Sequence, residues 1–230
     1  MNDNKYIALI PSYNPDERLI KLVDSLIKEK FNIVVIDDGS CAESKDIFDN
    51  VNDNCHVIHH ETNMGKGAGI KTGLKYIKDN FNNGIIVTVD CDGQHRVEDA
   101  LNLCKYNEKH LDTICLGSRK FDGKVPFKSK FGNSITRFIF LLVSRKYIYD
   151  TQTGLRSFSY NYIDKMLSIP GERFEYEMNV LLEMVKSRIP IKEITIKTIY
   201  INNNSSSHFK AIRDSFMIYK EIFKFIFRKK

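Results

Sequence analysis

The sequence lacks the features that mark several classes of protein. It has five cysteines, an odd number with no C-x-x-C pair, which argues against a zinc site and a disulfide framework and favours a reducing compartment. No apolar segment opens the chain, so we expect no signal peptide. The apolar run FIFLLV is too short to span a bilayer. No low-complexity tract indicates disorder, and 42% hydrophobic residues are enough for a sizeable core.

Positive charge is concentrated in two stretches of the chain. Residues 119–147 contain eight Lys or Arg and one acid, and residues 208–230 contain seven Lys or Arg and two acids. Because the formal net charge is only +6, the remainder is acidic. A basic second half on an acidic protein indicates an anionic partner, such as a nucleic acid, a phosphorylated substrate or lipid headgroups.

Apolar strands alternate with helices through the first half of the chain. The predicted strands cover residues 6–10, 32–40, 56–60, 84–90 and 113–119, and predicted helices follow residue 14, cover 43–51 and follow residue 65. Asn14 is the predicted N-cap of the first helix, with Pro15 at the first helical position. This alternation predicts a mostly parallel α/β sheet covered on both faces.

The second half continues the same domain and ends in a basic tail. We predict helices over 134–149 and 173–188, a loop that leads into a strand within 149–159, and a strand within 189–201. Residues 208–230 repeat large apolar side chains at helical spacing with Lys and Arg opposite, which predicts an amphipathic helix. The expected division is a catalytic domain over 1–207 and this helix over 208–230.

Polar or acidic residues follow four of the predicted strands, at 11–14, 37–38, 90–92 and 118–119. The carboxyl ends of parallel strands share one edge of an α/β sheet, and ligands bind at that edge. Asp90 and Asp92 can converge there on one hard cation, with Gln94 as a neutral oxygen donor. Carboxylate oxygens of this kind suit Mg²⁺ or Mn²⁺.

A glycine-rich turn, residues 65–69, opens one predicted helix. It matches neither the Walker pattern nor G-x-G-x-x-G in phase. Its glycines allow close backbone approach to a ligand, and the helix N-terminus behind it favours anions.

Six motifs in this order resemble the family 2 glycosyltransferases, and within them the dolichyl- and polyprenyl-phosphate sugar transferases. They are IPSYNP, VVIDDGS, NMGKGAG, VDCDGQH, LGSR and DTQTGLRSF. The resemblance implies a GT-A, Rossmann-like fold and a metal-dependent, inverting transfer of a hexose from a nucleotide-diphosphate sugar to a polyprenyl phosphate. It favours UDP-glucose first and GDP-mannose second. Two departures are Pro15, where the family has Glu, and Gly93, where it has Leu.

The resemblance also implies roles for individual residues. The implied nucleotide-binding residues are Pro11, Tyr13, Asn14, Asp38, Lys66 and Asp90. The metal, Mg²⁺ or Mn²⁺, would be held by Asp90, Asp92 and Gln94. The acceptor phosphate would be held by Arg119, Lys128, Lys130 and Arg137. The implied catalytic residues are Asp90, Asp92 and Arg119.

The nature of the acceptor decides whether a general base is needed. A polyprenyl phosphate is already an anion, so positioning and electrostatics carry most of the catalysis. An alternative acceptor, a hydroxyl of a glycan or cell-wall polymer, needs a base, for which Asp150, Glu175 and Glu177 are candidates.

Two alternatives come from other functional classes. A nucleotidyltransferase would have a glycine-rich loop where this chain has PSYNP. A nonenzymatic basic module that binds nucleic acid would be hindered by acids that repel phosphate. We therefore expect no nucleic-acid partner.

The two basic, aromatic stretches at 134–149 and 208–230 fit helices that lie in a membrane interface. We expect a cytoplasmic protein, peripheral at the inner face of the membrane. A core helix at 134–149 is equally open, and the tail can instead pack on the domain or form a homodimer contact. A separate transmembrane partner is a further open alternative, since bacterial members of the family often continue into transmembrane helices.

Overall fold

One mixed sheet forms the centre of the protein. A computed structural model describes residues 5–119, 127–197 and 217–223, except the side chains of 127–133. The strands are β1 (Tyr6–Ser12), β2 (Asn32–Asp37), β3 (His56–His59), β4 (Ile85–Thr88), β5 (Ile114–Arg119), β6 (Arg156–Ser159) and β7 (Ile191–Ile196). The helices are α1 (Glu17–Lys28), α2 (Lys45–Asn52), α3 (Lys66–Asn80), α4 (Val97–Lys109), α5 (Phe127–Ser144), α6 (Ile163–Ser168) and α7 (Glu175–Lys186). Each predicted strand is present, and α4 and α6 add to the predicted helices.

The strand order across the sheet is β3-β2-β1-β4-β6-β5-β7. Strand β6 is antiparallel to β4 and β5, and the other neighbours are parallel. Strands β1, β2, β4 and β5 therefore end at one edge, here called the rim. Because β6 runs the opposite way, it begins at the rim, where Arg156 pairs with Thr88. The mostly parallel sheet confirms the predicted fold class.

Two hydrophobic clusters cover the two faces of the sheet. In β1, Ile7 and Leu9 belong to one cluster, and Ala8 and Ile10 belong to the other. Successive strand residues point to opposite faces, so both faces of β1 are buried. Cluster members on the helices are Leu74, Met166 and Leu181 on the first face, and Leu26, Phe48 and Leu103 on the second. Burial on both faces explains why the strands are continuous apolar runs.

Helix α1 begins two residues later than the predicted N-cap at Asn14 implied, at Glu17 and not at Pro15. Its N-cap is Asp16, whose carboxylate accepts the backbone N–H of Arg18 at 3.0 Å. Asn14 has a left-handed backbone (φ 46°), and its Oδ1 accepts the N–H of Cys41 at 2.8 Å. The prediction of Asn14 as the cap is therefore wrong, because this side chain joins two loops instead.

Helix α5 has a buried and an exposed apolar face. Phe140 is fully buried, whereas Phe138 and Leu142 are 60% and 64% exposed. Segment 217–223 is helical and buries Ile218 and Ile222 in the first cluster, so this part of the tail packs on the domain. The boundary at residue 207 and the helix over 208–230 stay predictions, because most of the tail lies outside the described residues. Across the described ranges, no helix has the length and apolar character needed to cross a membrane.

Candidate active site

The polar loops that follow β1, β2 and β4 meet at the rim. The backbone N–H of Asn14 donates to Ser40 Oγ at 2.9 Å, which joins the first two loops. Arg18 Nη1 donates to the carbonyl of Asp92 at 2.8 Å, which joins the third loop to the start of α1. We predicted no role for Arg18. Its contact with Asp92 depends on the parallel pairing of β1 with β4, which the sequence does not reveal.

Asp90 forms a buried ion pair with Lys66, the first residue of α3. Lys66 Nζ lies 2.7 Å from Asp90 Oδ1, and the side chains are 15% and 27% exposed. The same ammonium lies 3.1 Å from Glu177 Oε1 at the start of α7. Burial opposes the charge on Asp90, but Lys66 and His95 outweigh it and lower the pKa of Asp90 far below its usual range. Burial likewise opposes the charge on Lys66, but Asp90 and Glu177 raise its pKa, so Asp90 and Lys66 are both ionised.

The second carboxylate oxygen of Asp90 is also closely surrounded. His95 Nε2 lies 3.6 Å from Asp90 Oδ2. On the other side stands Gly154, where a Cβ atom would lie 2.2 Å from the same oxygen, so no side chain fits there. His95 is 8% exposed, and its Nδ1 has no hydrogen-bond partner among the described residues. Both His95 and Gly154 lie in recognised motifs, but the sequence does not show that they converge on Asp90.

Asp92 is in a different environment from Asp90. Its Oδ1 accepts the backbone N–H of Gln94 at 3.0 Å, across a turn in which Gly93 has φ +75°. Burial, followed by repulsion from Asp90, raises the pKa of Asp92. The charge of Asp92 is therefore the less compensated of the two.

The acid pair fits one particular kind of metal site. Within the described ranges, no group of three or more His, Cys, Asp or Glu side chains could enclose a metal ion. Mg²⁺ is commonly held by one or two carboxylates together with substrate phosphates, and the partly buried, under-compensated carboxylate of Asp92 fits that arrangement. The metal-binding roles of Asp90, Asp92 and Gln94 stay predictions.

The glycines of the turn at 65–69 make room for another part of the protein. A Cβ atom at Gly65 would lie 2.5 Å from the carbonyl oxygen of Glu172, and one at Gly67 would lie 2.5 Å from Tyr176 Cβ. The N–H of Ala68 donates to that same Glu172 carbonyl at 2.8 Å. At Gly65 and Gly67 the close approach is thus made by segment 172–176, which differs from the expected approach of a ligand.

Asp38, which the resemblance assigns to nucleotide binding, is 3% exposed and holds the turn before α3. Its carboxylate accepts the N–H groups of Met64 and Gly65 at 2.9 and 2.8 Å, and His60 Nδ1 lies 2.9 Å away. These contacts fix where α3 starts and therefore where Lys66 lies. Nucleotide contacts stay predictions for Pro11, Tyr13, Asn14, Asp38, Lys66 and Asp90.

Arg119, at the end of β5, is held by a carboxylate. Its Nε and Nη2 donate to Asp150 at 2.6 and 2.9 Å, and Asp150 is fully buried. Glu193 on β7 in turn accepts the backbone N–H groups of Tyr149 and Asp150 at 2.9 and 3.0 Å. Glu193 had no signal in the sequence, because its contact depends on the pairing of β5 with β7.

The other predicted acceptor-binding residues lie on α5. The Arg137 guanidinium carbon is 4.9 Å from the ring centre of Tyr149 and 5.8 Å from that of Tyr147. Tyr149 directly precedes Asp150, so Arg137 lies on the same side of the rim as Arg119. The side chains of Lys128 and Lys130 lie outside the described residues. Binding of an acceptor phosphate stays a prediction for all four cations.

The Lys66–Asp90 pair predicts a large stability difference between two lysine substitutions. Lys66→Met leaves Asp90 and Glu177 without their shared ammonium partner, and we expect the free energy of unfolding in urea to fall by about 3 kcal/mol. The control is Lys78→Met, because Lys78 pairs with Asp164 in solvent, with side chains 46% and 75% exposed. We expect no measurable change for Lys78→Met. Equal effects of the two substitutions would contradict a structural role of the buried pair.

Comparisons with known proteins identify the family of this chain. A family model described as glycosyl transferase family 2 matches residues 7–167. The UDP-N-acetylglucosamine–dolichyl-phosphate N-acetylglucosaminyltransferase of Methanococcus voltae is 32% identical, over 87% of this chain and 88% of its own. The dolichyl-phosphate beta-glucosyltransferase of Dictyostelium discoideum is 27% identical, over 98% of this chain and 75% of its own.

A solved structure shares the fold. Glucosyl-3-phosphoglycerate synthase from Mycobacterium tuberculosis, in complex with Mn²⁺, UDP and glucosyl-3-phosphoglycerate, superposes with a TM-score of 0.74 at 12% identity, over 97% of this chain and 80% of its own. This chain belongs to glycosyl transferase family 2, has the GT-A fold predicted from its sequence, and is a glycosyltransferase.

Proposed function

We propose that this glycosyltransferase moves a hexose from a UDP-sugar to a polyprenyl phosphate at a membrane surface. The observation that carries the proposal is the unequal compensation of the acid pair at the rim. Asp90 is neutralised by Lys66 at 2.7 Å, whereas burial and Asp90 raise the pKa of Asp92. The charge of Asp90 is therefore already balanced within the protein, whereas Asp92 keeps a charge that is suited to bind a cation together with a diphosphate.

The donor would bind along the ends of β1, β2 and β4. Asp92, with Asp90 and Gln94, would hold Mg²⁺ or Mn²⁺, which supplies charge neutralisation for the departing diphosphate. Lys66, held between Asp90 and Glu177, places its ammonium beside the proposed metal ligand Asp90, where the diphosphate would bind. A UDP-sugar is supported by the Methanococcus relative, whose name includes UDP-N-acetylglucosamine, and UDP-glucose remains our first choice over GDP-mannose.

The contacts of the three candidate general bases favour a phosphate acceptor. Asp150 is fully buried and paired with Arg119, and Glu177 is paired with Lys66. Glu175 is 8% exposed, and its Oε1 accepts the N–H groups of Glu172 and Arg173. Each is largely buried and has at least one oxygen in a structural contact, although Glu175 Oε2 has no partner among the described residues. The rim is therefore poorly equipped to deprotonate a hydroxyl. A phosphate acceptor needs no such base, and both relatives named above carry dolichyl phosphate in their names.

The proposed reaction balances without a proton transfer. A phosphate oxygen of the lipid forms a bond to C1 of the hexose as the bond from C1 to the UDP oxygen breaks. UDP leaves with the electron pair of that bond, and in-line attack inverts the configuration at C1. Arg119, with Arg137 on the same side of the rim, would orient the lipid phosphate for this attack.

Helix α5 supports a membrane-facing surface beside Arg137. Phe138 and Leu142 are 60% and 64% exposed, and Tyr147, just beyond the helix, is 55% exposed. Arg145 and Lys146 are exposed next to them. Exposed apolar side chains among cations are suited to the headgroup region of anionic lipids. This surface would place the protein peripherally at the membrane from which the lipid phosphate comes.

A substrate panel tests the proposed function directly. Purified protein is incubated with radiolabelled UDP-glucose, UDP-N-acetylglucosamine or GDP-mannose, with undecaprenyl phosphate and Mn²⁺ or Mg²⁺. We expect a UDP-sugar to place label in organic-extractable lipid, and a chelator to stop the transfer. Label found only in water-soluble glycan would instead identify a hydroxyl acceptor.

Asp92→Asn separates metal binding from folding. We expect sugar transfer to fall by about 100-fold or more, because a cation-binding charge is lost. The melting temperature without ligands should stay equal or rise, since the asparagine oxygen can still accept the Gln94 N–H and a disfavoured buried charge is removed. Mn²⁺ with UDP should stabilise the wild type and the control Glu98→Gln, but not Asp92→Asn. Stabilisation of Asp92→Asn by Mn²⁺ with UDP would remove this metal assignment.

Flotation with vesicles of phosphatidylcholine and phosphatidylglycerol tests the surface on α5. The double substitution Phe138→Ser, Leu142→Ser should reduce the bound fraction at least about tenfold, since each apolar side chain that enters the membrane contributes about 1.5 kcal/mol to binding. Leu111→Ser is the control, because Leu111 is 51% exposed in the loop after α4. Equal losses in both proteins would contradict a role for this surface.

A further inference from the structure

Residues 150–156, here called the rim segment, connect the two sides of the proposed site. Residues 150–155 precede β6 and Arg156 is its first residue, so the segment lies at the rim between β4 and β5, because β6 is antiparallel to both neighbours. Within this one segment, Asp150 contacts Arg119, Gly154 contacts Asp90, and Arg156 contacts the start of α7. The motif that contains it was recognised in the sequence, but no role was assigned to its charged residues beyond Asp150 as a candidate base.

On the acceptor side of the rim segment, Asp150 is held by contacts to both its side chain and its backbone. Asp150 receives the Arg119 guanidinium through two bonds of 2.6 and 2.9 Å and the Arg119 backbone N–H at 3.2 Å. Its own backbone N–H, and that of Tyr149, donate to the Glu193 carboxylate. A bidentate carboxylate fixes the plane of a guanidinium. Asp150 can therefore set the direction in which Arg119 presents itself, and Glu193 fixes Asp150.

The donor side depends on Arg156, an arginine that is only 4% exposed. Its Nε donates to the carbonyl of Thr153 at 2.9 Å, and its Nη1 donates to the carbonyl of Glu177 at 2.6 Å. Glu177 is the residue whose carboxylate lies 3.1 Å from Lys66 Nζ. Arg156 therefore ties the rim segment to the backbone of a residue that holds the Lys66–Asp90 pair.

Arg156 is unusual for a buried arginine. Buried charges are normally paired with an opposite charge, whereas Nε and Nη1 of this guanidinium donate to backbone carbonyls. Its Nη2 is buried and has no partner among the described residues. Burial lowers the pKa of Arg156, and the nearby carboxylates of Glu177, Asp150 and Asp90 offset part of that effect. A residue of this kind stabilises the fold less than an apolar side chain could, which favours a role in the site.

We propose that the rim segment positions the site with two separable functions. Asp150 orients Arg119 toward the acceptor phosphate, and Arg156 holds Glu177 and, through it, Lys66 and Asp90 at the donor. Both are positioning residues, since each acts through another side chain. The acceptor half rests on the proposed function, whereas the donor half requires only that a nucleotide-sugar binds at the acid pair.

Steady-state kinetics with both substrates tests the two functions against each other. Asp150→Asn should raise the KM for undecaprenyl phosphate about tenfold or more and leave the Kd for UDP with Mn²⁺ unchanged. Arg156→Met should show the opposite pattern, with weaker UDP binding and an unchanged KM for the lipid phosphate. Arg156→Lys should recover part of the UDP affinity, because an ammonium can donate to one of the two carbonyls. Asp164→Asn, at an exposed pair, is the control and should match the wild type.

Two further variants keep the test decisive if Asp150→Asn fails to fold. Glu193→Ala should raise the same KM by loosening the backbone at 149–150, without touching the guanidinium. The double variant Arg119→Lys, Glu193→Ala should have the same KM for undecaprenyl phosphate as Arg119→Lys alone, because Glu193 acts on that KM only by positioning the Arg119 guanidinium.

Specific outcomes would overturn the inference. Equal changes for both substrates in both single variants would mean that the segment is only structural. A lower kcat for Asp150→Asn, with an unchanged acceptor KM and a lost acidic limb in the pH profile, would make Asp150 a general base. Absence of lipid product from the wild type would overturn the proposed function instead, and the Arg156 arm would still be read from UDP binding.

Discussion

The buried ion pair between Asp90 and Lys66 is the interaction on which the rest of the rim depends. Three parts of the chain must come together for it to form: the end of β4, the start of α3 and the start of α7, which brings Glu177 to 3.1 Å from the same ammonium. Removing either partner leaves a charge with little solvent to compensate it. The glycines around the pair follow from this crowding, since a Cβ at Gly154 would lie 2.2 Å from Asp90 and one at Gly67 would meet Tyr176.

The sequence was sufficient to predict the fold class and the edge that carries the site. Apolar runs ending in polar residues place Asp38, Asp90 and Arg119 at one rim, because the strands are parallel and buried on both faces. It could not predict that β6 inserts antiparallel between β4 and β5, since a four-residue strand has no periodicity that reveals its neighbours. The contacts of Gly154 and Arg156 follow from that insertion.

Charge counting predicts a basic second half of the chain but not the contacts of each residue. Arg119 was predicted as a cation that binds phosphate, yet it shares a bidentate contact with Asp150, an acid 31 positions later. A paired arginine attracts an anion less strongly at long range, but it presents its N–H groups in one fixed direction. The residue is thus better suited to orient a phosphate than to recruit it. Recruitment would fall to cations that face solvent, such as Arg145 and Lys146 beyond α5.

The two acids of the motif differ because the backbone turns between them. Strand β4 ends at Thr88, and Gly93 takes φ +75°, so Asp90 points to α3 while Asp92 folds over the N–H of Gln94. Asp90 pairs with Lys66 and so fixes the start of α3, whereas Asp92 retains a charge that burial and Asp90 both disfavour. At the proposed metal site, a divalent cation would relieve that repulsion only if further ligands arrived with the substrate, since the described side chains form no complete cage. Binding of metal and diphosphate should therefore be mutually dependent, which would limit tight metal binding to the moment when a donor is present.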